Sequence, residues 1–201
     1  MMRTVAMAAG LALASSLVLA QVAPDALVKQ VSSEVVDSVK ADKTIQAGDV
    51  KKIIALVDAK ILPHVNFQRM TSSAVGRYWR QATPEQQGRL QDEFKTLLVR
   101  TYAGALTQVK DQTIEFRPLR SRPEDTEVIV RSEVKGKGDP IQLDYRLEKA
   151  GDAWKIYDVN VMGVWLVENY RSSFAQEIAS SGIEGLITKL AAKNKSAASK
   201  V

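Results

Sequence analysis

The chain has 201 residues, 45% of them hydrophobic and 25% charged, with a formal net charge of +5 and no cysteine. That length suits one domain with a real core. The charge is far below a nucleic-acid footprint, a disulfide framework is excluded, and one histidine without cysteine argues against zinc.

The first twenty residues, MMRTVAMAAGLALASSLVLA, combine a basic start at Arg3, an apolar run from Val5 to Leu19 and a small residue at Ala20. They read as a secretory signal peptide over residues 1–20, too short in its apolar run for a comfortable membrane span. No cysteine follows, so a lipoprotein anchor is not expected. Residues 21–192 read as one domain. Leu27, Val31, Val35 and Val39 recur at helical spacing, as do Val50, Ile53, Ile54, Val57 and Ile61, a second helix that Pro63 stops. Asn66 is placed to cap a short helix beginning at Phe67. Thr83, Pro84 and Gln86 form a capping box with proline at the first helical position. The long helix behind it shows Leu90, Phe94, Leu97, Leu98, Tyr102, Ala105, Leu106 and Val109 on one broad face.

The period then changes from helix to strand. Ile114 and Phe116, then Val128, Val130 and Val134, then Ile141, Leu143, Tyr145 and Leu147 alternate with polar neighbours. Lys135–Pro140 and Lys149–Asp152 carry turn residues between them. The last strand runs from Trp154 to Val161, crosses Gly163 and enters a helix from about Val164 to Ser180. Within that strand, Trp154 and Ile156 have one parity and Val159 and Val161 the other. A β-bulge or a buried second face would account for the change. A short amphipathic helix follows Gly182, and residues 193–201 read as a disordered basic tail. The expected fold is α+β, with helices packed on one face of a twisted antiparallel sheet of about four strands. Such a cone is either filled by its own side chains or left partly open as an apolar pocket.

Recognisable chemistry is absent. His64 is the sole histidine, no G-x-S-x-G occurs, and the glycines at 136 and 138 lie in a hairpin turn without a phosphate-loop pattern. Asp158 and Asp144 are the acids nearest a sheet-lined cavity; Asp158 with Tyr157 would serve an isomerase- or hydrolase-like enzyme on a similar cone. A solid-core interaction module is the other alternative. Abundant large apolar residues without a nucleophile or metal ligand favour a binder of something apolar.

Two segments carry a family resemblance. VGRYWRQATPEQQGRLQDEFKTLLVRTYAGAL, from Val75, holds G-x-x-W-R, T-P-E-Q, F-x-x-L-L and R-T-Y; WKIYDVNVMGVWLVENYRSSF, from Trp154, holds W-x-I-Y-D-V, a G-V turn and N-Y-R. With Ile183-Glu184-Gly185-Leu186 after Gly182, these resemble the MlaC family of periplasmic phospholipid-binding proteins, also described as toluene-tolerance or auxiliary ABC-transport components, over about residues 25–190. The chain departs from the family pattern at Met162-Gly163-Val164-Trp165, where Glu-Gly-Val-Ser is usual, and at Asn66, where Asp is usual. The resemblance implies a periplasmic, non-enzymatic, monomeric carrier of phospholipid that needs no cofactor and binds no nucleic acid. Its implied partners are an inner-membrane ABC transporter with an MCE-domain subunit and an outer-membrane lipoprotein–porin complex, in retrograde transport that maintains outer-membrane asymmetry. The expected pocket wall comprises Phe94, Leu98, Tyr102, Val130, Leu143, Tyr145, Trp154, Ile156, Val159, Val161, Gly163, Val164, Trp165, Val167 and Tyr170. The loops Arg117–Arg122 and Lys135–Lys137 are docking candidates.

Overall fold

The computed structural model describes residues 22–109 and 111–198. The signal-peptide reading over residues 1–20 therefore lies outside the described residues.

Local sequence signals set the helical half. Helix α1 (Pro24–Ala41) starts with proline at its first position, where a missing N–H costs nothing. Asp42 ends it and caps α2 (Lys43–Gln46), accepting the N–H groups of Thr44 and Ile45; Asp49 caps α3 (Val50–Leu56) in the same way. The helix expected through Leu62 is regular only to Leu56. It continues as a π turn, Val57–Ile61, and a 3-10 turn, Leu62–His64, around Pro63, which lacks the N–H that would extend the ladder. Asn66 accepts the Arg69 N–H at the start of α4 (Phe67–Val75). Gly76, at φ 65°, ends α4 in a conformation that glycine adopts freely. The Thr83–Gln86 capping box then opens α5 (Pro84–Thr107).

Five antiparallel strands follow in sequential order: β1 (Thr113–Phe116), β2 (Glu127–Lys135), β3 (Ile141–Ala150), β4 (Ala153–Val161) and β5 (Val164–Trp165). The fifth was expected as helix; Val164 and Trp165 instead pair back onto Val161 and Asn160 across a tight turn through Met162 and Gly163, both at positive φ. Helix α6 (Leu166–Ala198) is interrupted at Gly182, φ 72°, where the sequence placed a break. The expected disordered tail is helical to Ala198. Buried Asn194 anchors it, its amide donating to the Glu93 carbonyl and carboxylate on α5.

A β-bulge resolves the change of parity in β4. Arg146 faces Asp158, but its neighbour Leu147 faces Ile156, so Tyr157 is the extra residue. Trp154 and Ile156 before the bulge, and Val159 and Val161 after it, thereby stand on one face with Leu143, Tyr145 and Leu147. Without the bulge, half of the strand would turn its apolar side chains away. Helix α1 covers this face through Leu27, Val28 and Val31. Helices α4, α5 and α6 form a second core around Leu90, Phe94 and Ile187, which Val159 joins to the sheet. A third core joins Val39, Ile45 and Ile53 to Val99 and Ala103 of α5.

Candidate functional site

The apolar face of the sheet is sealed at one end and open at the other. Along β3, same-face residues go from Leu147 (0% exposed) through Tyr145 (9%) and half-buried Leu143 to Ile141 (42%). Along β4, Ile156 is buried, Val159 and Val161 are half-buried, and Val164, facing Val161 from β5, is exposed. Helix α5 repeats the gradient: Phe94 is fully buried, Leu98 and Tyr102 are half-buried, and Thr101 and Ala105 on the same side are exposed. Both gradients run the same way. The end of α5 leads into β1, whose Thr113 and Ile114 pair with Lys135 and Val134, and Val134 pairs with Ile141. Protein interiors are close-packed. The inward-facing apolar side chains that solvent still reaches mark the open end of the angle between sheet and helices, here termed the wedge.

Tyr170 of α6 stands at the helical wall of this wedge. Its ring meets Phe94 edge-on, with centroids 5.0 Å apart, and lies 5.5 Å from Phe174. Burial pushes the Tyr170 phenol up, opposed by a hydrogen bond with the Thr101 side chain; burial and the nearby Tyr170 push Tyr102 up as well. Both phenols therefore stay neutral through ordinary pH, two hydroxyl groups set in an apolar wall. Tyr145 lies deeper. Burial raises its phenol, and side-chain hydrogen bonds to Ser32 of α1 and Ser132 of β2 work against that rise.

The structure sorts the residues expected at the pocket wall. Phe94, Val130, Tyr145, Ile156 and Val167 are buried core. Leu98, Tyr102, Leu143, Trp154, Val159, Val161 and Tyr170 are half-buried on inward faces. Gly163 is in the exposed β4–β5 turn, and Val164 stands at the rim. Trp165 is not brought to the wedge. Paired with Asn160, it covers the opposite face, its ring 3.8 Å from the Arg146 guanidinium carbon. Two contributors were missed by sequence reasoning. Val65 bridges to Ile156 and packs against both the sheet core and the helical core. Thr101 was passed over as a polar residue, although it falls between Leu98 and Tyr102 on the apolar face.

Asp158 is fully buried on the face away from Tyr145. Its Oδ1 accepts the N–H groups of Val159 (2.9 Å) and Val167 (3.1 Å), and its Oδ2 accepts from Arg146 (3.1 Å). Burial pushes its carboxyl up, against those bonds. These contacts make it a cap for the start of α6; it does not face the wedge as a proton-transfer base would. Tyr157 is likewise engaged: its hydroxyl donates to Glu127 (3.0 Å) and the Arg69 guanidinium covers its ring. Among the described residues, no group of three His, Cys, Asp or Glu side chains is placed to hold a metal, and no helix is long and apolar enough to cross a membrane.

The model of the MlaC protein family matches residues 29–192. The chain is 25% identical over 176 residues to the intermembrane phospholipid transport system binding protein MlaC of Haemophilus influenzae, covering 86% of this chain and 82% of that protein. It is 26% identical over 160 residues to toluene tolerance protein ttg2D of Pseudomonas putida, covering 79% and 74%. Its fold matches the phospholipid-binding protein of Ralstonia solanacearum, solved in complex with a phospholipid, with a TM-score of 0.84 and 46% identity over 89% of this chain and 98% of that one.

Proposed function

The chain belongs to the MlaC family, and on that premise we propose that it is a periplasmic carrier that moves phospholipid between the inner and outer membranes. The observation that carries this reading is the 46%-identical neighbour holding a phospholipid on the same fold. Here the acyl chains lie in the wedge, along Leu98, Leu143, Val159 and Val161, and the headgroup faces water at the end marked by Ile141 and Val164. The neutral hydroxyls of Tyr102 and Tyr170 are suited to the ester oxygens between chain and headgroup.

Physical chemistry demands such a device. Burial is worth about 0.8 kcal/mol per methylene, so two chains of roughly 30 methylenes lose on the order of 24 kcal/mol in water. A carrier has to replace that burial closely, because a pocket much better than a bilayer would never release its cargo. No bond is made or broken, and the reading needs no catalytic residue and no cofactor. Retrograde direction, an inner-membrane ABC transporter with an MCE-domain subunit and an outer-membrane lipoprotein–porin complex complete the proposal.

Native mass spectrometry of residues 21–201, expressed in bacteria and purified without detergent, tests it. The expected spectrum carries a mass excess of one or two phospholipids, confirmed by extraction. A folded chain with a clean protein mass that takes up no lipid from vesicles would overturn the carrier reading.

A further inference from the structure

Arg77 of the Gly76-Arg77-Tyr78-Trp79-Arg80 motif and Arg171, next to the wedge residue Tyr170, meet on the outer surface. There the end of α4 and the first half of α6 enclose an open groove of about 570 Å³, lined by Arg77 and Arg171 together with Ser72, Ser73, Val75 and Ala175. Arg171 donates from Nε to the Ser73 carbonyl (3.1 Å), which fixes its guanidinium and leaves the two terminal nitrogens for a ligand. Arg77 donates to the Tyr78 hydroxyl (2.9 Å), and its guanidinium carbon lies 4.9 Å from that ring.

Some guanidinium groups of the chain are paired with carboxylates, Arg69 with Glu127 and Glu148, Arg89 with Glu184, Arg117 with Glu133, Arg122 with Glu124 and Asp125, and Arg146 with Asp158 and Glu168; others are not, and Arg77 and Arg171 are two unpaired ones that line the same groove. Among the described residues, no carboxylate lines the groove between α4 and α6, and neither Arg77 nor Arg171 takes part in an ion pair. Two planar forks without counter-charges match carboxylates, and between them the groove exposes the half-buried Ala175 while Val75 belongs to the core beneath.

We propose that this groove docks an acidic segment of a protein partner, with carboxylates on Arg77 and Arg171 and a small side chain between them against Ala175. A free phosphate fits less well. It is far smaller than the groove, and it brings no N–H donor for the carbonyl end of α4, whereas a peptide supplies such donors along with its carboxylates. The groove lies outside the wedge, so docking and lipid loading are separable: Arg171 turns to α4, while Tyr170 beside it turns to Phe94.

The test is selection of a phage-displayed random peptide library on the full mature chain, followed by fluorescence anisotropy with the enriched peptides at low and high salt. Enriched sequences rich in Asp and Glu are expected, with binding at least about tenfold weaker for Arg77→Glu, and for Arg77→Glu with Arg171→Glu, at unchanged lipid content and melting temperature. Arg171 also holds Ser73; should the double variant unfold, Arg77→Glu alone decides, since the hydrogen bond and the ring contact of Arg77 are both to the neighbouring Tyr78. Absence of enriched peptides, enrichment without acidic residues, or binding indifferent to Arg77 would overturn the proposal. So would inorganic phosphate or anionic vesicles binding through these arginines while peptides do not.

Discussion

Replacing Val161 by glutamate separates a lined gap from a packed core. Val161 stands opposite Leu143 on the apolar face, half-buried, one residue from the turn that ends β4. In the empty protein its new carboxylate reaches water through the open end of the wedge, so folding should lose no more than about 1 kcal/mol, as at other partly exposed positions. With an acyl chain in place the same carboxylate is covered. Its least costly course is to take up a proton. From a reference value near 4.3, protonation at neutral pH costs about 3.7 kcal/mol, a loss of roughly 500-fold in lipid affinity. At about pH 5 the cost falls to roughly 1 kcal/mol and the loss to about sixfold. The assay is phospholipid content after equilibration with vesicles at both pH values, by extraction and native mass spectrometry, beside thermal melting. Val161→Gln, which has no proton to gain, should show a smaller, pH-independent loss. Full loading of Val161→Glu at neutral pH would refute the placement of acyl chains against β4, and an unfolded variant would make Val161 core.

Deleting Tyr157, the extra residue, makes Leu147–Ile156, Arg146–Asp158 and Tyr145–Val159 consecutive pairs, so Val159 and Val161 should stay on the apolar face and lipid loading should be kept, whereas inserting one alanine after Tyr157 should turn them toward the Arg146 face and abolish loading; the opposite pattern would refute the bulge assignment. Phe94→Ala should cost about 3–5 kcal/mol in chemical denaturation, because Phe94 is fully buried against Phe67, Tyr170 and Phe174, and a loss under about 1 kcal/mol would contradict that packing. Asp158→Ala should cost about 1–2 kcal/mol as a lost helix cap, with lipid content kept in the folded fraction; lost lipid in a stably folded variant would assign Asp158 to the cargo instead. The Asp158 carboxyl is raised from its ordinary 3.8 by burial, so the folded state holds its proton more tightly than the unfolded chain. Its contribution to stability is therefore present below that value and is lost as pH rises through the folded-state value, and Asp158→Asn should flatten this part of the melting profile.

Where a structural feature depends on neighbours within a few residues, the sequence was sufficient. The Thr83–Gln86 capping box, the Asn66 cap and the break at Gly182 each rest on one local hydrogen bond or one allowed backbone conformation. The amphipathic face of α5 and the alternation in β3 are equally local, because helix and strand periods print directly onto hydrophobic spacing. These features, with the motif-level likeness, sufficed for the α+β class and the family. Tertiary structure decided whatever depends on what lies opposite. The parity change between Ile156 and Val159 has two readings in one strand, and only the register against Arg146 and Leu147 selects the bulge. Trp165 continues an apolar run, yet pairing with Asn160 turns it onto Arg146. Leu147 and Leu143 share one strand, face and chemistry; what differs is the cover above them, complete over the first and absent over part of the second. Hydrophobicity specifies that a side chain faces inward, but whether it meets another side chain or a space left for a lipid is settled by segments far away in the chain.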